Sequence, residues 1–171
     1  TAPDRLFGAA ILPLNDIDAA VAEFERVAAK GAKAIAFSEN PTVLGLPSIH
    51  TRHWDPLLAI AQETGIPLCT HIGSSSRLVT TSDDAPTTVL TTLLGLNSMM
   101  AAADWMLGTA LDRFPGAKVV LSEGGAGWIP YIVERADKGW HDGRLDGDPL
   151  LGRVHEKGAR PPSQVLAEQM Y

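Results

Sequence analysis

Two residues in this sequence combine a reactive side chain with surroundings that could put it to use. The stretch "PLCTHIGSSS", residues 67–76, carries an apolar run into His71, just before Gly73 and three serines. The stretch "VVLSEGGAG", residues 119–127, carries another into Glu123, just before two glycines. A neutral imidazole is a common metal ligand, and a carboxylate can hold a metal or move a proton. Glycines after Glu123 let backbone approach a ligand closely. A helix starting just beyond them would aim its first N–H groups at the same place, which favours an anionic group. Each residue also has a bland role open to it: a turn hydrogen bond for His71, a helix cap for Glu123. Finding both at equivalent strand ends tips the reading toward function.

Other candidates are weaker. His50 and His53 in "SIHTRHW" have a metal-pair spacing, but that spacing converges only on a helix and these lie in a loop. That loop is expected to reach the mouth of the site, with His50 as a substrate contact. The serines after His71 lack the G-x-S-x-G context of a nucleophile. Ser74 is expected to bind substrate instead. Met99, Met100, Trp105 and Met106 read as core filling on a helix.

The elements that must position His71 and Glu123 alternate along the chain. Arg5 to Leu12 reads as a strand, and Asn15 or Asp16 caps a helix carrying Ile17, Ala20, Val21, Phe24, Val27 and Ala28, stopped by Gly31. Ala32 to Phe37 is a second strand, followed by a loop from Ser38 to Trp54. Asp55 and Pro56 then start a helix that Gly65 ends. The run from Ile66 is a third strand, buried on both faces. A polar loop, Gly73 to Ala85, leads to helix over roughly Pro86 to Leu111, with Gly95 and Asn97 as possible breaks. Lys118 to Ser122 is the fourth strand, and a helix spans Trp128 to about Lys138. Gly139 to Arg160 reads as loop, and a short helix begins near Pro162. Strand–helix repetition without a hairpin argues for parallel strands and right-handed crossovers. Alternation alone fits a doubly wound sheet as well as a barrel, though no G-x-G-x-x-G follows a strand. In a barrel, the carboxyl ends of all strands share one mouth, which would bring His71 and Glu123 together.

With 171 residues, 45% hydrophobic and 20% charged, the chain suits one globular domain. A net charge of −6 without a basic cluster argues against a nucleic-acid partner. Val89 to Leu107 is long and apolar, but Thr91, Thr92, Asn97, Ser98 and Asp104 interrupt it, so a buried helix is expected and no membrane span. The lone Cys69 cannot form an intrachain disulfide and fits a reducing compartment, so a cytoplasmic location is expected.

"IPLCTHIG", "LDRFPGAKVVLSEGGAGWIPYIVERAD" and "RPPSQVL" together resemble the amidohydrolase-related proteins of the aminocarboxymuconate-semialdehyde decarboxylase type. Their pattern has a strand ending in histidine, then D-R-F-P-x-L-K, a strand ending S-H-G-G, P-Y, and an arginine five residues after that proline. Pro130, Tyr131 and Arg135 match its last part. The resemblance implies an α/β fold, a parallel (β/α)8 TIM barrel, whose members are metal-dependent hydrolases or non-oxidative decarboxylases, commonly with zinc or manganese. It makes His71 the metal-ligand histidine of the fifth strand. Arg135 becomes the arginine that binds a substrate carboxylate, in some members across a dimer interface, so a homodimer or higher homo-oligomer is implied. Trp128 joins the expected substrate contacts. Glu123 stands where the pattern has a catalytic histidine, and is expected to take over its proton-transfer role.

The family's remaining ligands come from the first and eighth strands, and eight βα units need about 250 residues. Residues 1–171 hold four units and a fifth begun, so they are expected to be the middle of a longer barrel. The activity expected of the parent is metal-dependent hydrolysis of a small carboxylated or cyclic substrate. The alternatives are a decarboxylase of the same family and, from another class, a non-catalytic barrel fragment or binding module.

Overall fold

Local signals set some of the helix boundaries. In the computed structural model, which describes residues 4–142 and 160–171, Asp16 is the cap chosen over Asn15. Its carboxylate accepts from the N–H groups of Asp18 and Ala19, both at 3.1 Å, and opens helix α1, Ile17–Ala29. Capping of this kind is worth about 1 kcal/mol. Gly31 and Gly65, both with left-handed φ, follow α1 and α2 (Asp55–Thr64) and turn the chain back into the sheet.

The sheet has four strands, β1 (Ala9–Ile11), β2 (Ala34–Ser38), β3 (Leu68–His71) and β4 (Val119–Ser122). All pair in parallel and in sequence order, β1-β2-β3-β4. Sequential order with a helix in each crossover is the wall of a barrel rather than a doubly wound sheet, whose strand order reverses. A fifth strand is begun: Tyr171 donates to the Val119 carbonyl and accepts from the Leu121 N–H.

The two faces of the sheet differ. Ile35, Phe37, Leu68, Thr70 and Val119 are buried against the helices. Phe37 meets Trp54 edge-on at 5.1 Å, and Trp105 lies beside it. On the other face, Ile11, Ala36, Cys69 and Val120 stand in one row by register, and Ile11 is 82% exposed. That face is the interior wall of the barrel. One level up the same face, at the carboxyl end, the register aligns Ser38, His71 and Ser122. Glu123 is the next residue.

Several boundaries differ from those read in the sequence. β1 is three residues long because its pairing starts only where β2 offers a partner, Ala9 opposite Ala34. The Ser38–Trp54 loop contains a 3-10 turn, Pro41–Leu44, capped by Asn40. The helical region is three pieces, α3 (Thr87–Leu93), α4 (Gly95–Leu107) and α5 (Ala110–Arg113). Its breaks fall at Leu94 and Gly108, while Asn97 stays inside α4. Helix α6 runs Ile129–Asp142, so Gly139, where a loop was expected to start, is helical. The rest of that expected loop, with His155, lies outside the described residues; His141 is exposed on the last turn of α6. Helix α7, Pro162–Gln169, packs on α4, α5 and α6. Among the described residues, no helix is long and apolar enough to cross a membrane.

Candidate active site

β3 and β4 end side by side, and their last groups meet. His71 Nε2 lies 2.9 Å from Glu123 Oε2, with both side chains more than half exposed. The other ring nitrogen, Nδ1, is 2.8 Å from the carbonyl oxygen of Ile72. A carbonyl only accepts, so Nδ1 carries a proton, which in a neutral ring leaves Nε2 with its lone pair. A lone pair facing a carboxylate oxygen is repulsive. The Nε2–carboxylate contact is a hydrogen bond when Nε2 also carries a proton, as both ring nitrogens do in the charged ring. An Nδ1–H bonded to a backbone carbonyl is also the usual way an Nε2 metal ligand is oriented.

The backbone has gone out of its way to place Glu123. Its φ is +69°, a left-handed conformation rare outside glycine and worth roughly 1–3 kcal/mol of strain. The next residue is glycine because a Cβ at Gly124 would run into the Ser98 hydroxyl. Gly95 is close-packed to a lesser degree: a Cβ there would lie 3.0 Å from the Gly124 carbonyl oxygen and 3.3 Å from the Trp128 ring. α4 is thus pressed against the turn that carries Glu123. The helix-cap role is not what Glu123 performs, since α6 starts at Ile129 and the carboxylate is turned to His71.

The remaining expected residues are placed as follows. Ser74 Oγ accepts the backbone N–H of Glu39 at 2.9 Å, tying the loop after β3 to the end of β2. Trp128 donates its indole N–H to the Gly124 carbonyl at 2.8 Å and packs over Gly95, bracing the Glu123 turn. His50 Nε2 faces Asp104 of α4 at 3.1 Å, and His53 lies edge-on to Trp54. Arg135 is exposed on α6. Of the methionine and tryptophan set, Trp105 and Met106 are buried as expected, but Met100 is 46% exposed. Cys69 is two residues before His71 on the same face; burial pushes its thiol up, which keeps it protonated and a poor nucleophile.

Glu39 was not anticipated. It follows β2 directly and is 95% buried as a residue, with 5% exposure. Its Oε1 accepts from the Gly73 N–H at 2.8 Å, the Ser75 hydroxyl at 2.9 Å and the Asn97 amide at 3.0 Å. Together with the Ser74 bond, these fix the loop that leaves His71. The available signal was "FSEN", a charged residue at the end of an apolar strand, the same pattern that drew attention to Glu123.

A sequential parallel sheet with helices on one face and an ionisable pair at its carboxyl ends defines part of a (β/α) barrel with its mouth at His71 and Glu123. A family model described as Amidohydrolase matches residues 1–146, and the chain belongs to that family. No match was found among curated protein sequences. Solved structures share the fold. An amidohydrolase from Mycobacterium avium subsp. paratuberculosis K-10 superposes with a TM-score of 0.75 at 24% identity, covering 99% of this chain and 43% of that one. The 5-carboxyvanillate decarboxylase of Sphingomonas paucimobilis gives 0.70 at 20%, over 98% and 48%. A dihydroxybenzoic acid decarboxylase from Polaromonas sp. JS666, with bound manganese and the inhibitor 2-nitroresorcinol, gives 0.62 at 19%, over 99% and 50%. The chain thus spans about half the length of the solved proteins it matches.

Proposed function

We propose that this chain carries half of the active site of a metal-dependent hydrolase acting on a small carboxylated or cyclic substrate. The observation that carries the reading is the convergence of His71 Nε2 and Glu123 Oε2, 2.9 Å apart at the carboxyl ends of adjacent parallel strands. The donor set fits a divalent metal in part: one oriented imidazole and one carboxylate converge. Among the described residues, no group of three or more His, Cys, Asp or Glu could hold a metal. Tight sites use three or four protein ligands. The others would come from barrel strands beyond these residues, which are read as the middle of a longer protein.

His71 would be one ligand of zinc or manganese. The metal, when bound, supplies a Lewis acid that polarises the scissile bond and favours ionisation of water. Glu123, held by its left-handed turn, takes the proton from the attacking water and passes it to the leaving group. Arg135, exposed on α6, binds the substrate carboxylate, and the full-length protein is a homodimer or higher homo-oligomer. A cytoplasmic protein is consistent with a single protonated thiol. The second reading, loss of CO2 from a carboxylated ring, draws on the two decarboxylases that share the fold. It keeps His71 and has Glu123 deliver a proton to the substrate carbon.

The test is Glu123→Gln in the full-length protein, with hydrolysis of small amides and esters and CO2 release from aromatic carboxylates measured beside the melting temperature. A loss of the hydrolytic turnover of at least ~100-fold, with near-native melting, is expected. Turnover confined to CO2 release would replace the first reading by the second. Normal turnover in the mutant would remove Glu123 from the chemistry.

A further inference from the structure

The peptide group joining Ile72 and Gly73 is held from both sides. Its N–H donates to Glu39 Oε1 at 2.8 Å, and its carbonyl accepts from His71 Nδ1–H, also at 2.8 Å. One planar group therefore links the buried carboxylate after β2 to the imidazole that ends β3. Which way that group points is a matter of turn type. The Ser74 N–H donates to the His71 carbonyl at 3.0 Å, so residues 71–74 form a β-turn with this peptide at its centre. Gly73 has a φ of +80°, while Ile72 is not among the residues of positive φ, which makes the turn type II. Types I and II differ by a flip of the central peptide. A flip here would turn the Ile72 carbonyl toward the Glu39 carboxylate, acceptor against acceptor, and take it away from the ring. Glycine permits the type II turn, and the Glu39 carboxylate selects it.

We propose that Glu39 is a positioning residue for His71, acting through this peptide to hold the ring in place and to make its Nε2 a stronger electron donor. The inference rests on the reading of His71 as a metal ligand and says how the protein prepares that ligand. A carboxylate accepting the peptide N–H polarises the group and makes its carbonyl a stronger acceptor. A stronger acceptor at Nδ1–H in turn raises the basicity of the far ring nitrogen, as a carboxylate touching a ligand histidine does directly. Here the charge stands one peptide away. Burial of Glu39 strengthens the effect, because water does not screen a charge in a low-dielectric surrounding. The carboxylate is also fixed without help from His71: the Ser75 hydroxyl and the Asn97 amide donate to the same Oε1, at 2.9 and 3.0 Å. The His71 side chain is more than half exposed, so hydrogen bonds rather than burial set its orientation.

Ring-nitrogen NMR of the full-length protein with isotope-labelled histidine reads the link directly, the His71 signal being the one lost in His71→Ala. The native protein is expected to show His71 protonated at Nδ1, with a downfield, slowly exchanging proton. Glu39→Gln keeps an oxygen for the Gly73 N–H but removes the charge. The Nδ1 proton should then move upfield and exchange faster, and zinc affinity, measured by competition with a chelator, should fall at least ~10-fold, the usual effect of losing an outer partner of a ligand. Glu39→Asp draws the carboxylate back from Gly73 and should act likewise, so it decides the matter where Glu39→Gln does not fold. Ser75→Ala removes a different bond to the same Oε1 and separates the link from general stiffening of the loop: it should leave the Nδ1 proton and the zinc affinity near native. A His71 bare at Nδ1, an Nδ1 proton unmoved in the Glu39 variants, or an equal response to Ser75→Ala overturns the proposal. A native protein that binds no zinc counts against the hydrolase reading, and the Nδ1 proton still decides this one.

Discussion

The placement of Glu123 depends on residues too small to react. Gly124 has no room for a side chain, since a Cβ would meet the Ser98 hydroxyl and Cβ, and Gly95 has the Gly124 carbonyl and the Trp128 indole against it. Gly124→Ala should therefore cost about 1–3 kcal/mol, the usual range for overpacking. It should also swing the Glu123 carboxylate off His71. Ser98→Gly in the same chain removes the atoms that clash and should restore part of the loss. Melting temperatures of the two single variants and the double variant of the full-length protein check it. Additive losses would show that the two sites are not in contact. That His71 and Glu123 sit at strand ends was legible, because an ionisable side chain at the end of an apolar run is conspicuous. Glu39 was missed although it fits that description, because nothing local tells a carboxylate that faces a mouth from one that ties down a loop. That distinction needed Asn97, 58 residues away.

Among the elements, α7 shows how a short helix is held by polar groups. Gln169 is buried; its amide donates to the carbonyls of Phe114 and Ala117, at 2.9 and 2.8 Å, and its oxygen accepts from Arg160. Burial works against the charge on Arg160, but hydrogen bonds to Asp112 and Glu168 outweigh it and hold the guanidinium above its ordinary value. Gln169→Leu fills the same space and leaves two carbonyls and a guanidinium short of a partner. It should destabilise by about 1–3 kcal/mol, read as a lowered denaturation midpoint, and loosen the pairing of Met170 and Tyr171 with β4. An unchanged midpoint would mean that α7 is held by Val165 and Pro162 alone. Periodicity and punctuation were enough to find α1, α2, α6 and α7, since caps and glycines are local signals. They failed where the helix continues through a glycine, at Gly139, and where one apolar stretch is cut into α3, α4 and α5. Those boundaries are set by tertiary packing, such as Gly108 against His50 and Asp104, which no window of sequence contains.

At the scale of the molecule, four parallel strands in sequence order show one face to helices and leave the other open, with Ile11 82% exposed at its centre row. Alternation of strand and helix made the parallel sheet legible, and the motifs made the barrel and its family legible. The strand order itself, which separates a barrel wall from a doubly wound sheet, follows from pairing and could not be read from one chain. The central claim is that the mouth of this barrel holds a divalent metal through His71, whose Nδ1 is committed to the Ile72 carbonyl and whose Nε2 meets Glu123. Metal content of the purified full-length protein, native and His71→Ala, tests it most directly. Stoichiometric zinc or manganese in the native protein and its loss from the variant, with melting otherwise close to native, is the expected result. Full metal occupancy in His71→Ala, or a native protein that turns over substrate without metal, would contradict it.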